Sequence, residues 1–403
     1  MWEPKINPAR VFELKYAGTT LYFGVGAINK MRDIASDLKS KGISSVLVVA
    51  GRSSYKATGA WDRVKVALEE AGINYSIYDK VSPNPTVDMV DEAVEAGKSV
   101  RAGAVIGIGG GSPVDTAKAV AVLLATGGAA RDLFLGRITP SRALPVVAIN
   151  TTHGTGTEVN RYGVETIPER MYKIGRPLTY PLYSIDDPQL LVKLDRAQTI
   201  ATAVDALNHV NESATNRYTT PFAIGLAKEA VRLIAKYLPI AVAEPDNLAA
   251  RYWLLYASMI AGIAIDHVPT HITHAMQHPT SALKPELPHG VGLGILLPSV
   301  LKAIYKAVPE TLAEIYEPIA PGFKGRPGEA EQFALTVEEW LFSVGLRQKL
   351  SDYGFAESDV PTLYRLLMET PGLRDGLEVA PIKVDEETTI KIYRESLYPL
   401  QKR

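Results

Sequence analysis

Short apolar runs alternate with helical stretches along the first half of the chain, and the texture then changes once. Ser45-Val46-Leu47-Val48-Val49-Ala50, Asn74-Tyr75-Ser76-Ile77-Tyr78, Ala104-Val105-Ile106-Gly107-Ile108 and Pro145-Val146-Val147-Ala148-Ile149 each have the length of a strand. Runs of that kind, separated by helical patterns, predict a parallel sheet with helices on both faces. Beyond Asp186-Asp187-Pro188 strand signals nearly vanish. Long amphipathic patterns such as Ala227 to Tyr237 and Leu248 to Ile265 predict helices instead. No internal repeat or low-complexity linker intervenes. Two domains are therefore expected, an α/β domain over 1–187 and an all-helical domain over 188–403, with a cleft between them.

One of the predicted strands runs straight into a glycine turn. Ala104 to Ile108 leads into Gly109-Gly110-Gly111-Ser112-Pro113-Val114-Asp115-Thr116-Ala117-Lys118. Ser112 reads as a helix cap, Pro113 as the first helical residue and Asp115 as the capping-box partner. Glycines ahead of a helix let main chain approach an anion, and the helix start offers free N–H groups and a positive dipole end. The turn matches neither G-x-G-x-x-G nor a Walker loop. The bland alternative is a turn that only joins strand to helix.

The polar positions of the helical half are unusual in a different way. Asp205 and His209 stand four apart in a stretch without proline or glycine, so on a helix they share one face. Five of the seven histidines follow within a short span: His267, His271, His274, His278 and His289. A helix after Pro269 would put His271, His274 and His278 on adjoining faces, with Pro279 as its stop. One carboxylate with several imidazoles suits a divalent transition metal such as iron or zinc. A catalytic site keeps a coordination position open, so not every histidine is a ligand, and spacing alone leaves the set undetermined.

Composition narrows the function. The 403 residues suffice for two cores, and 43 basic against 44 acidic side chains exclude an electrostatic nucleic-acid binder. Met1-Trp2-Glu3-Pro4-Lys5 is polar and proline-broken, so no signal peptide is expected. The apolar run near Leu293 to Leu297 falls short of the roughly 20 residues of a membrane span, and no membrane partner is expected. Cysteine is absent, which rules out disulfides and thiolate ligands and fits a cytoplasmic enzyme. The 27 prolines and the lack of cysteine hint at a thermophilic source.

Five ordered segments resemble those of the iron-containing (group III) alcohol dehydrogenase family, and the resemblance spans most of the chain. They are residues 109 to 118, Asn84-Pro85-Thr86, Thr151-Thr152-His153-Gly154-Thr155-Gly156-Thr157-Glu158, Asp205-Ala206-Leu207 with His209 and Glu212, and His274, Met276, His278 followed by Pro288-His289-Gly290. The resemblance implies a Rossmann-like domain followed by a helical domain, as in dehydroquinate synthase, with metal and cofactor in the cleft. It implies Asp205, His209, His274 and His289 as metal ligands, for ferrous iron or for zinc. It implies that His278 is a catalytic non-ligand beside the nicotinamide. Gly109, Gly110, Gly111, Ser112, Asp115, Asn84, Thr151, Thr152, Thr155 and Lys173 count as cofactor-binding. By the same mapping His267 and His271 are extra and fall to structural or supporting roles. The chain departs from the family at His153 (usually alanine), Thr157 (serine) and His271 (a small residue).

The implied activity is hydride transfer between a primary alcohol or aldehyde and a nicotinamide cofactor. The family often has Asp after the strand that reads Val46 to Ala50, where it would hold the ribose 2′-hydroxyl. This chain has Gly51-Arg52-Ser53-Ser54-Tyr55-Lys56 there, which favours NADP(H) over NAD. A homodimer or larger homo-oligomer is expected. The alternatives are a glycerol dehydrogenase-like polyol oxidation and a sugar-phosphate cyclase or lyase. The cyclase would want Lys and Arg around the metal, and the segments Asp205–Glu212 and His267–His278 carry none.

Overall fold

A computed structural model describes residues 3–401. Among these residues nine strands are present: β1 (Phe12–Tyr16), β2 (Thr19–Phe23), β3 (Ser45–Gly51), β4 (Asn74–Val81), β5 (Ala104–Gly109), β6 (Val146–Asn150), β7 (Tyr162–Ile167), β8 (Tyr172–Pro177) and β9 (Tyr183–Asp186). Seven form one sheet in the order β1-β2-β9-β6-β5-β3-β4, and β7 with β8 forms a separate hairpin. The sheet is mixed rather than wholly parallel, because β1 runs antiparallel to β2 at one edge. That edge hairpin is missed by a search for continuous apolar runs, because Phe12-Glu13-Leu14-Lys15-Tyr16 alternates instead, the mark of a strand with one face exposed. The central strands β3, β5 and β6 are buried along their whole length, as parallel strands covered on both faces must be.

Eleven helices frame the sites: α1 (Met31–Ser40), α2 (Ser54–Ala57), α3 (Ala60–Glu70), α4 (Val87–Ser99), α5 (Gly111–Thr126), α6 (Ala130–Phe134), α7 (Arg196–Thr215), α8 (Pro221–Ala243), α9 (Leu248–His267), α10 (Ile272–Leu283) and α11 (His289–Ile304). Further helices continue the chain up to Glu395. The chain divides into two compact units, but not by a single cut at 187/188. Of the described residues, the first holds 3–165, 175–195 and 244–255; the second holds 166–174, 196–243 and 256–401. The cut at Pro188 is displaced because the β7–β8 hairpin gives its middle to the helical unit, and because α9 begins in one unit and ends in the other.

In the first unit the chain passes from β3 to the edge strand β4, then returns across β3 to β5 and on to β6. Its direction of travel reverses between β3 and β5, which are paired with Ala50 opposite Ile108. The carboxyl ends of two such strands are where open α/β sheets bind ligands. Gly51 and Gly109 are the last residues of those strands.

In the second unit α7 is the axis, and every residue from Ala203 to Thr215 is buried. α10 is buried from Ile272 to Ala282 and α11 from Gly290 to Leu301. The helix α9 is long and apolar enough to cross a membrane, a property that its interrupted apolar runs conceal in the sequence. It is a core helix here, with 83% of its apolar window buried.

Candidate active site

Buried polar residues on an interior helix need partners, and α7 carries several. Asp205 and His209 lie one turn apart, 3% and 5% exposed. His274 reaches them from α10 and His289 from the first turn of α11. The imidazole Nε2 atoms of His209, His274 and His289 stand 3.4, 3.6 and 3.8 Å from the same oxygen, Asp205 Oδ1. These separations are too long for good hydrogen bonds. They are close to the roughly 3.4 Å edge of a tetrahedron whose ligands lie about 2.0–2.2 Å from a central ion. Asp205 Oδ1 and His274 Nε2 are both buried without a hydrogen-bond partner. Asp205, His209 and His274 each place a ligand atom within 4.8 Å of the other two, and His289 stands at the wider edge. The donor set fits a divalent transition metal.

The approach of His289 depends on the residue after it in the chain. A Cβ on Gly290 would lie 1.9 Å from the Ala201 carbonyl oxygen, so only glycine lets α11 begin against α7. A Cβ on Gly292 would lie 2.8 Å from the Gln277 side chain. The Pro-His-Gly segment is thus a steric requirement for delivering an imidazole.

The outer nitrogens of His274 and His289 are both occupied. His274 Nδ1 bonds Glu212 Oε2, while Glu212 Oε1 accepts from Thr273 N at 2.6 Å. Burial alone would raise the Glu212 carboxyl, but the facing His274 and His271 outweigh it and hold it down to about 2. Burial likewise opposes charge on His274, and Glu212 and Asp205 overcome it, lifting the imidazole to about 9. His289 Nδ1 donates to Gln277 Oε1 and has Lys173 Nζ at 3.4 Å. Burial and the Lys173 charge push His289 well below the usual histidine range. Outer partners of this kind fix the tautomer and aim Nε2 inward.

His278 is brought close to this group without joining it. Its ring centroid is 5.7 Å from that of His289, and its Nδ1 donates to the Lys173 carbonyl at 3.0 Å. Burial, with the Lys173 charge, keeps it well below the ordinary histidine range, so the ring is neutral with Nε2 as acceptor. Pro279 does not stop α10, which runs to Leu283 because its whole length is packed. His271 lies off the helix as its N-cap. Its Nδ1 accepts from Ile272 N at 2.7 Å and its Nε2 lies 2.9 Å from Thr215 Oγ1. His267 meets Thr220 Oγ1 at 3.0 Å and the Phe222 ring. Neither is a ligand in this geometry.

The first unit holds the glycine turn. Gly109 has φ 152°, and a Cβ there would lie 2.6 Å from Pro113. Gly110 and Gly111 are pressed by Thr152 and Thr155, whose side chains would lie 2.8 and 2.5 Å from a Cβ. α5 starts at Gly111 with Gly110 as N-cap and no side-chain cap. The expected capping box is therefore absent. Ser112 lies inside the helix, and Asp115 turns away to accept from Thr157 Oγ1 at 2.6 Å and Val164 N at 3.1 Å. The ammonium of Lys118, fully buried, donates to Thr157 Oγ1 at 2.6 Å, Asn160 O at 2.8 Å and Tyr162 O at 2.8 Å. With no side chain spent on the cap, the first N–H groups of α5 are left for a ligand.

Other expected cofactor residues lie in the same unit. Thr151 N donates to Gly109 O at 2.9 Å, and Asn84 takes a left-handed φ of 52° just before α4. Arg52, Ser53 and Ser54 are exposed after the end of β3. Lys56 is drawn toward Asp79 at 4.0 Å and sits over the Tyr55 ring. Lys173, also expected at the cofactor, lies in the second unit with its ammonium 3.4 Å from His289 Nδ1. Gln277 is not among the residues expected from the sequence, and Glu212 is there without a task. Each stands three residues after a metal-site histidine, His274 and His209, on the same helix.

Residues 18–188 match the iron-containing alcohol dehydrogenase model, and residues 199–397 match the C-terminal model of the Fe-containing alcohol dehydrogenase family. The chain belongs to the iron-containing alcohol dehydrogenase family. It is 58% identical to the long-chain primary alcohol dehydrogenase AdhA of Thermoanaerobacter ethanolicus, over 98% of this chain and 100% of the relative. It is 31% identical to the NAD-dependent methanol dehydrogenase of Bacillus methanolicus, over 89% and 94%. Among solved structures, the NADH-dependent butanol dehydrogenase A of Thermotoga maritima superposes with a TM-score of 0.87 at 29% identity, covering 97% of this chain and 100% of that one.

Proposed function

We propose that the protein is a metal-dependent, NADP(H)-linked dehydrogenase of primary alcohols, long-chain ones included, which also reduces the corresponding aldehydes. The observation that carries this reading is the convergence of three Nε2 atoms on Asp205 Oδ1. Asp205, His209, His274 and His289 would hold ferrous iron or zinc, whose contribution when bound is Lewis-acid polarisation of the substrate oxygen. Glu212 and Gln277 keep His274 and His289 in the tautomer that presents Nε2. His278, neutral and with Nε2 as acceptor, takes the alcohol proton in one direction and returns it in the other. The nicotinamide supplies hydride acceptance and donation, and the protein's part is to position it.

The dinucleotide's phosphates are assigned to the start of α5, with Thr152 and Thr155 of the Thr151–Gly156 loop as its walls, and the family resemblance adds Asn84 and Asp115. The preference for NADP rests on the end of β3, where Gly51, Arg52, Ser53 and Ser54 provide no carboxylate to repel a 2′-phosphate. The 58% identical relative supports long-chain primary alcohols as substrates. A cytoplasmic homo-oligomer completes the reading, consistent with a cysteine-free chain that uses nitrogen and oxygen ligands.

The test is one assay with one analysis. Purified protein should release reduced nicotinamide absorbance on mixing with primary alcohols and NADP, and should carry about one metal ion per chain. Equal turnover after complete chelation of the metal would remove the metal from the mechanism.

A further inference from the structure

His153 stands in the middle of the loop that packs on the glycine turn, and nothing in the proposed activity uses it. The loop is fixed at both ends. Upstream, Thr151 N donates to Gly109 O, and Thr152 N donates at 3.0 Å to Asn150 Oδ1. Downstream, Asn160 Nδ2 donates to Gly156 O at 3.0 Å. Between these ends the chain contains Gly154 and Gly156, the latter at φ 58°, which stiffen nothing. His153 is fully buried, and its Nε2 meets Arg251 Nη1 at 3.2 Å.

Arg251 is itself fully buried and cannot follow the loop. Its Nε donates to Pro245 O at 2.9 Å and its Nη2 to Leu194 O at 3.0 Å. A guanidinium only donates, so His153 Nε2 must accept, which fixes the neutral tautomer with hydrogen on Nδ1. Burial first, and the guanidinium second, push the His153 imidazole down to about 3, so it stays neutral through the working range.

We propose that His153 is a positioning residue: accepting from the anchored Arg251, it holds the Thr151–Gly156 loop against Gly110 and Gly111 and thereby sets the affinity for the dinucleotide's phosphates. This rests on the reading that the phosphates bind at the start of α5. The link is direct, since Thr152 and Thr155, which flank His153 and Gly154, fill the space beside Gly110 and Gly111. A loop held only at its ends would leave that wall loose.

The experiment uses the full-length holoenzyme. His153→Ala should weaken binding of reduced dinucleotide, followed by fluorescence, by about tenfold, the size of one hydrogen bond from a charged donor. The loss should fall on the cofactor KM rather than on kcat, with bound metal unchanged. His153→Gln, whose Oε1 can accept from Arg251, should recover most of the affinity. Arg251→Lys, which cannot hold Pro245, Leu194 and His153 together, should lose affinity like His153→Ala, and it carries the test with His153→Gln if His153→Ala does not fold. Native cofactor affinity in the soluble variants overturns the proposal. So does an equal loss of kcat, metal and affinity that Gln fails to restore, because that marks a merely structural histidine. If instead Gly111→Ala leaves cofactor affinity untouched, the phosphate site itself is misplaced, and the failure lies with the reading beneath.

Discussion

The glycine turn and the histidine cluster are built from opposite materials. At the turn the groups on offer to the proposed phosphates are main-chain N–H donors at the start of α5, and the side chains around them matter as walls. In the histidine cluster the groups that converge are four side chains from three helices, and main chain serves at the edges, where Thr273 N and the Lys173 carbonyl hold Glu212 and His278 and where Gly290 keeps clear of Ala201. The first kind of site tolerates a change of chemistry nearby better than a change of shape. The second should fail on either. Buried, paired polar networks cost more when broken than surface contacts, so the larger effects are expected in the second unit.

The largest effect should come from that cluster. His274→Ala and His289→Ala each remove a proposed ligand, so both bound metal and turnover should vanish. Gly290→Ala should do the same without touching a ligand, because its Cβ would overlap the Ala201 carbonyl at 1.9 Å and force α11 away. His271→Ala is the control: it should keep the metal and cost about 1 kcal/mol of stability through the lost helix cap. Metal analysis decides the matter. Stoichiometric metal in His274→Ala would end the ligand assignment, and full metal in Gly290→Ala would end the steric account of Pro-His-Gly.

Next in size is His278→Ala, which sharpens the division between holding metal and moving a proton. The ring lies close to His289 yet spends Nδ1 on the Lys173 carbonyl, leaving one acceptor nitrogen. Removing it should lower kcat by about 10²–10⁴-fold, the range of general acid–base catalysis, with metal content unchanged. Normal turnover in that variant would reduce His278 to a buried packing residue.

The two sites are unequally legible in the sequence. The histidine cluster announces itself by residue type, and the Asp205–His209 spacing already implies a shared face. Spacing does not separate His271 from His274, because His271 caps α10 from outside, and only geometry shows its nitrogens bonded to Ile272 and Thr215. Gln277 stays hidden for the same reason, since its task exists only once α11 has come alongside α10. At the turn the order of elements is plain, but the capping box is not there. Asp115 finds better partners in Thr157 and Val164, forty-odd residues away, than in a helix start three residues back. Local propensity proposes a cap, and tertiary packing overrules it. The β1–β2 and β7–β8 hairpins escape a search for the apolar runs that mark strands buried on both faces; β1 and β2 carry the weaker, alternating signal of half-buried ones.

The smallest expected effect tests the turn's surroundings by chemistry alone. Gly51 closes β3 beside Gly109 of β5, where the sheet's connections change direction. A Cβ there would lie 3.4 Å from the Val81 carbonyl and 3.6 Å from Ser54 Oγ, which is ordinary contact, so Gly51→Asp should fold without strain. Its carboxylate would accept from a ribose 2′-hydroxyl and repel a 2′-phosphate. The ratio of kcat/KM for NADP to that for NAD should therefore fall by about tenfold or more, as expected when one charge-assisted hydrogen bond to the ribose forms and a phosphate is repelled. Arg52, Ser53 and Ser54 remain exposed beside it and keep some attraction for phosphate, which limits the change. The Bacillus methanolicus and Thermotoga maritima relatives are NAD- and NADH-dependent, so the native ratio is itself a sharp measurement. A native enzyme that favours NAD would show that the exposed cations point elsewhere, and the absence of a carboxylate at Gly51 would then carry no specificity.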